Sequence, residues 1–305
     1  MDDFKMASVT VQNVAMQKVT MQKVTLPSGM VSYVELGQGD PILLLHANPG
    51  DQRDFAAVIE PLSRYGRVLA LDWPGYGQSP ELADEDQVTV KDIYQVLVEF
   101  VTTMGLKQLV IVGNSLGGNA AVRLAALRPE PVRALVLVAP GGFTPQNWLS
   151  RSFCRLQGSR LALSPYRFAR FYLKRETDIT RAMLERARGQ QAQPRALAMN
   201  RSLWRSFGRP ENDLSSLAGQ VRAPCLLIFG RYDPVIRAKQ DGDLALQVLP
   251  HARLEVLPCG HAAFAEVPEL FMEAVQTFLK QLPRASWQVT ESATISSDTM
   301  DAANP

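Results

Sequence analysis

The apolar residues of this chain fall into two alternating patterns. Short, mostly apolar runs at 42–45, 67–71, 109–112, 134–139 and 225–229 are bounded by glycine, proline or polar residues. Such runs predict strands buried on both faces. Between them, apolar residues return at helical spacing. Ile93, Val96, Leu97, Phe100, Val101 and Met104 share one face of a helix opened by the pair Thr89 and Asp92 and closed by Gly105. Two earlier segments, 16–25 and 30–36, alternate residue by residue around the turn Leu26-Pro27-Ser28-Gly29 and predict edge strands. The motif MQKVT occurs twice in 16–25, a short duplication inside the first strand and not a repeat architecture. Asp51 or Asp54 is placed to cap a helix after 46–50, and another helix is predicted from about 236 to 249. A strand at 254–257 and a helix from Pro268, with Phe271, Ala274, Val275, Phe278, Leu279 and Leu282 on its buried face, complete the pattern. Strand alternating with helix predicts an α/β fold, its mostly parallel sheet covered by helices on both faces.

The alternation breaks at Pro140-Gly141-Gly142. From 143 to 217 the sequence is helical, aromatic and rich in arginine, and it predicts a helical cap inserted into the α/β core. The core then comprises 1–142 and 218–282, and the Ser-, Thr-, Ala- and Asp-rich segment 283–305 predicts a disordered tail. The insertion holds 14 Lys and Arg against five Asp and Glu, in a chain whose net charge is only +2. Most of these cations are expected to form a solvated face. One or two facing a pocket would favour a small-molecule substrate with a carboxylate or phosphate.

Composition adds mainly exclusions. At 305 residues, 46% hydrophobic and 20% charged, the chain is long enough for one large domain with an insertion. Its charge gives no reason to expect nucleic acid, and no run approaches the roughly 18 apolar residues that span a bilayer. Cys154, Cys225 and Cys259 are widely spaced and odd in number, so neither a disulfide framework nor a zinc site is expected. Together with an N-terminus lacking a basic segment and apolar core, this predicts a cytoplasmic protein. Oligomeric state is left open.

The candidate chemistry centres on Val110-Ile111-Val112-Gly113-Asn114-Ser115-Leu116-Gly117-Gly118-Asn119. A buried strand ends at Gly113, and Ala120, Ala121, Leu124, Ala125 and Leu127 continue at helical spacing, so Ser115 sits on a strand-to-helix turn. Small residues two before and two after it permit a tight turn that lifts the hydroxyl clear of the sheet, at a helix N-terminus that favours negative charge. A serine in this G-x-S-x-G setting requires a base and an acid. Asp233 follows the run at 225–229, and His261 follows the strand at 254–257. Loops at the carboxyl ends of parallel strands share one rim, so these residues can converge with Ser115 and the Asn48 loop.

Five signatures in order resemble the α/β-hydrolase fold over about residues 20–282. They are the loop His46-Ala47-Asn48-Pro49-Gly50, the loop 72–79, the serine turn, the segment 230–235, and Gly260-His261 followed by Glu266-x-Pro268. The resemblance implies an eight-stranded, mostly parallel sheet with the second strand reversed and a cap after the sixth strand. It implies Ser115 as nucleophile, His261 as base, Asp233 as its partner, and the N–H groups of Leu116 and Asn48 as oxyanion donors, with no cofactor or metal. His46 resembles the family's structural loop histidine, His251 falls in a polar turn, and Asp72 is expected to tie down its Gly-rich loop. Ala47 departs from the family's usual glycine. Trp148, Tyr166 and Trp204 in the cap, and Ala262 beside His261, are candidate substrate contacts.

Three functions remain open at this point. Hydrolysis of an ester, lactone or thioester is the first, because a serine cannot form the alkyl-enzyme ester of epoxide hydrolases and dehalogenases. The second is carbon–carbon bond hydrolysis of a diketone acid, since Gly113-Asn114-Ser115-Leu116-Gly117-Gly118 and Cys259-Gly260-His261 resemble meta-cleavage product hydrolases. Against this, Ala262 stands where those enzymes carry tryptophan. The third is a non-catalytic ligand sensor on the same fold.

Overall fold

Strand β3 (Pro41–Leu45) sends Leu43 and Leu45 to one side of the sheet and Ile42 and Leu44 to the other, all four fully buried. The same alternation in its neighbours divides the core into two clusters, one on each face. The computed structural model describes residues 20–82 and 87–282. Within them one sheet contains β1 (Thr20–Leu26), β2 (Gly29–Leu36), β3, β4 (Arg67–Leu71), β5 (Leu109–Asn114), β6 (Val132–Val138), β7 (Cys225–Gly230) and β8 (Ala252–Leu257). Their order is β1-β2-β4-β3-β5-β6-β7-β8. Strand β2 runs antiparallel to both neighbours and every other pair is parallel, as the resemblance implies. The second MQKVT copy lies in or beside β1, whereas most of the first copy and the tail from Pro283 lie outside the described residues.

Helices α1 (Ala56–Ser63), α2 (Val90–Thr103) and α3 (Leu116–Leu127) follow β3, β4 and β5. Between β6 and β7 come α4 (Trp148–Gln157), α5 (Pro165–Tyr172), α6 (Asp178–Gln190), α7 (Pro194–Phe207) and the short α8 (Ser215–Ala218). Then follow α9 (Asp243–Val248), the one-turn α10 (Ala263–Glu266) and α11 (Pro268–Gln281). Thr89 caps α2 and Asp92 reciprocates, as the spacing predicts. After β3, Asp51 caps a 3-10 turn at Gln52–Phe55, and Asp54 is not itself a cap but closes the reciprocal bond to the backbone of Asp51.

The inserted helices are fastened on both sides. Met199 and Leu203 of α7 are fully buried in the cluster that contains α2 and α3. Ser206 Oγ accepts from Val90 N at 3.0 Å, and Arg123 Nη2 donates to Asn212 Oδ1 at 2.9 Å. On the opposite face, Phe168, Tyr172, Met183 and Ala187 of α5 and α6 join the cluster built by α1, α10 and α11.

The carboxyl end of β7 and the loop after β8 approach so closely that only glycine fits. A Cβ on Gly230 would lie 1.8 Å from the carbonyl oxygen of Gly260 and 2.6 Å from that of Cys259. Gly230→Ala is expected to lower stability by about 1–3 kcal/mol in urea denaturation, the range for overpacking a fixed site. An unchanged midpoint would contradict this close approach.

Candidate active site

Ser115 stands between β5 and α3 with φ 50° and ψ −105°, a left-handed backbone that a non-glycine residue adopts only under constraint. The constraint comes from three close approaches. A Cβ on Gly113 would meet Gly117 O at 2.6 Å, one on Gly117 would meet Leu45 O at 2.2 Å, and one on Gly118 would meet Pro140 Cβ at 2.8 Å. Hydrogen bonds hold the turn: Ser115 N donates to Val138 O at 3.1 Å, and Asn119 N and Gly141 N each donate to Ser115 O at 2.9 Å. Leu116 is the first residue of α3, so its N–H has no acceptor within the helix.

Asp233 and His261 arrive from the ends of β7 and β8. Asp233 Oδ1 accepts from Val235 N at 2.8 Å and Ile236 N at 3.2 Å, which aims Oδ2 at His261 Nδ1, 2.6 Å away. Both residues are buried. Burial works to lower the His261 pKa, but the Asp233 charge, the hydrogen bond to it and the charge of Glu266 outweigh this and raise it above 6.5. With Nδ1 engaged, Nε2 is the nitrogen left to exchange a proton. The histidine is further fixed through its backbone: its N–H donates to Tyr172 O at 3.2 Å, and Asn114 Nδ2 donates to its carbonyl at 3.2 Å. Asn114 thus ties the serine turn directly to the histidine loop.

Glu266 secures the same loop. Its buried carboxylate accepts from Gly260 N, Ala262 N, Lys174 N and Arg175 N, at 2.9, 3.0, 2.7 and 2.9 Å. Four backbone donors satisfy a charge that would otherwise be costly to bury, and they join the histidine loop to the α5–α6 connection. Nothing in the sequence beyond an acid before Pro268 marks this role, because its partners are all main-chain groups.

Two other polar groups shape the neighbouring loops. His46 Nε2 accepts from Trp73 N at 3.0 Å and Nδ1 donates to Ala47 O at 2.8 Å, so the ring is neutral; burial pushes its pKa down to about 4. Asp72 accepts from Gln52 N and Gln78 N at 2.8 and 2.9 Å, tying down its loop as predicted, while burial pushes its pKa up to about 6 against those bonds. His251 is exposed. Tyr76 OH donates to Asn48 Oδ1 at 2.5 Å and fixes the Asn48 loop.

Arg186 of α6 reaches that loop from above, with Nε 3.3 Å from Asp51 Oδ2 and Nη2 2.5 Å from Asp54 Oδ1. Burial and the Asp51 charge push Asp54 up to about 7 although Arg186 opposes them. In the sequence Asp51 and Asp54 read only as caps and Arg186 as one of many solvated cations. The side chain of Arg186 is instead only 19% exposed.

A cavity of about 390 Å³ opens over the serine. Ala47, Asn48, Ser115 and His261 line it from the sheet loops, and Phe153, Phe168, Tyr172, Trp204 and Phe207 line it from the inserted helices. Of the four candidate substrate contacts only Trp204 is among the lining residues. Trp148 is 77% exposed on the outer side of α4, Tyr166 packs under the Arg188 guanidinium at 4.5 Å, and Ala262 is buried with its N–H on Glu266. None of the 14 cations of 143–217 lines the cavity either; its basic residue is Arg237, from the loop after β7. The inserted arginines thus do not supply the pocket-facing cation that the sequence left open; α5 and α7 line the cavity with Phe168, Phe171, Tyr172, Trp204 and Phe207.

Comparison with known proteins follows the same lines. The family model described as alpha/beta hydrolase fold matches residues 40–268. The chain is 32% identical over 254 residues to the pimeloyl-[acyl-carrier protein] methyl ester esterase of Nitrosomonas europaea, covering 77% of this chain and 94% of that protein. It is 25% identical over 268 residues to the 2-hydroxy-6-oxo-6-phenylhexa-2,4-dienoate hydrolase of Comamonas testosteroni, covering 83% and 92% respectively. Among solved structures, a thermophilic esterase from Thermogutta terrifontis superposes with a TM-score of 0.70 at 20% identity, over 86% of this chain and 99% of that one.

Glu266→Gln is expected to destabilise the fold by about 1–3 kcal/mol, because an amide oxygen replaces two acceptor oxygens and buried N–H groups lose their partners. Urea denaturation checks this; an unchanged stability would show that the four bonds are not needed.

Proposed function

The chain belongs to the alpha/beta hydrolase fold family, and we propose that it is a serine hydrolase cleaving a carboxylic ester, lactone or thioester of a small to medium substrate through an acyl-enzyme. The observation that carries this reading is the buried Asp233–His261 pair, 2.6 Å apart, whose histidine lines one cavity with a serine held in a strained turn. A serine hydroxyl is too weakly acidic to attack unaided. On this reading Ser115 Oγ adds to the carbonyl carbon while its proton passes to His261 Nε2. The carbonyl electron pair moves to oxygen, and that oxyanion is held by the N–H groups of Leu116 and Asn48. When the pair returns, the bond to the leaving alkoxide or thiolate breaks, and the leaving group takes the proton from His261. Water then adds to the acyl carbon, gives its proton to His261, and releases the carboxylic acid as Ser115 regains a proton.

Asp233 keeps the proton of His261 on Nδ1 and stabilises the imidazolium formed in each half-reaction. Helices α4–α7 act as the cap, and their aromatic side chains suit an apolar acyl or alcohol group. Carbon–carbon bond hydrolysis is the second reading, favoured by the Comamonas testosteroni relative, and Arg237 at the cavity is the cation available to an acid substrate.

Two outcomes test the proposal. Short and medium acyl p-nitrophenyl esters, assayed beside a dienoate diketone acid, are expected to be turned over, with activity lost in Ser115→Ala. Preferential cleavage of the diketone acid would promote the second reading, and turnover retained in Ser115→Ala would overturn both. Because the working base is neutral His261 and its pKa is raised, kcat/KM is expected to fall as pH drops through a value above 6.5. Asp233→Asn should lower kcat by about 10⁴-fold and move this limb to lower pH, since the charge that raises the pKa is gone. A limb unmoved in that variant would show that another group is being titrated.

A further inference from the structure

Six of the 12 large apolar side chains exposed among the described residues lie between Trp148 and Phe171. They are Trp148, Leu149, Leu156, Leu161, Leu163 and Phe171, with Leu161 82% and Trp148 77% exposed. The other six are spread singly over separate segments, which is ordinary for a protein surface. An apolar concentration of this kind marks a surface that meets another phase or partner. The same stretch is charged in one sense only. From 148 to 175 it contains seven cations, Arg151, Arg155, Arg160, Arg167, Arg170, Lys174 and Arg175, and no acid. All seven are exposed, and among the described residues none has a carboxylate partner within 4.0 Å.

We propose that the outer face formed by α4, the loop after it and α5 docks on an anionic lipid surface, with the Trp and Leu side chains entering the headgroup–acyl boundary and the arginines meeting lipid phosphates. No helix among the described residues is long and apolar enough to cross a membrane, and the proposed contact is a peripheral one. Interleaved arginine with exposed tryptophan and leucine is the chemistry of a segment lying in an anionic interface. Charge alone would also suit an acidic protein, but that leaves the exposed Trp148 and Leu161 without a role. A second copy of the chain is disfavoured, because a two-fold contact would set seven like charges against seven.

The patch also leads inward. Leu149 and Phe171, 62% and 45% exposed, line the cavity over Ser115. An apolar ligand leaving the lipid surface therefore meets apolar side chains from the patch to the serine. Docking goes beyond the hydrolase reading, and its measurement does not depend on turnover.

The test is sedimentation of the full chain with vesicles of phosphatidylcholine containing about one third phosphatidylglycerol, against phosphatidylcholine alone. Binding is expected on the anionic vesicles, and it should weaken at about 1 M salt, where surface charge is screened. Leu156→Asp with Leu161→Asp should lower the partition coefficient at least about tenfold. Arg155→Glu, Arg160→Glu and Arg167→Glu together should remove the preference for anionic lipid, and both variants should keep the parent melting temperature. In the unmodified chain, bromolipid vesicles should quench tryptophan emission, a reading independent of any variant. Absence of both binding and quenching overturns the proposal. Binding lost in the charge variant but kept in the leucine variant also overturns it, since the apolar side chains would then take no part and charge attraction alone would remain. Self-association abolished by the leucine variant, without vesicle binding, assigns the face to a second copy instead.

Discussion

The backbone of Ser115, held at φ 50°, is the constraint from which the rest of the site follows. It persists because β5, α3, the end of β3 and the start of the segment after β6 touch through glycine contacts that admit no side chain. Such strain costs on the order of 1–3 kcal/mol and survives only where the surroundings over-determine it. Here the surroundings are strands on both sides that are buried at the ends nearest the serine. Strands fixed at that point bring the Asn48 loop, the Pro140 turn and the Asp233 loop to one rim, so a local backbone requirement sets the geometry of the proposed site.

Buried carboxylates then decide how the loops and the inserted helices sit on that rim. Their partners are of three kinds. Asp233 has His261, Glu266 has four backbone N–H groups, Asp72 has two, and Asp51 and Asp54 share Arg186. Two of these sites, Glu266 and the Asp51–Asp54 pair, hold α5 and α6 against loops of the sheet. The covering helices are therefore positioned by buried charge at the loops as well as by apolar packing. Removing one partner from such a site costs more than the net contribution of the intact pair, since the charge left behind stays buried.

The sheet was legible in the sequence because its strands are short, apolar and separated by turn formers, and because the order of Ser115, Asp233 and His261 matched loops at strand ends. The faces of the inserted helices were not. Helical spacing says which residues share a face but not which way that face turns. Phe153 of α4 lines the cavity while Trp148 of the same helix does not and is exposed, and Trp204 lines it where Tyr166 pairs with Arg188. Arg186 and Glu266 were missed for a related reason: one reads as a solvated cation and the other as part of a motif, and only the fold supplies their partners.

The most direct measurement is labelling of the folded chain by a fluorophosphonate, followed by intact mass and peptide mapping. One adduct is expected, on Ser115, formed rapidly in the parent chain and far more slowly in His261→Ala. A folded chain that takes up no label, or takes it up elsewhere, would contradict the central claim that this strained serine is a nucleophile activated by His261.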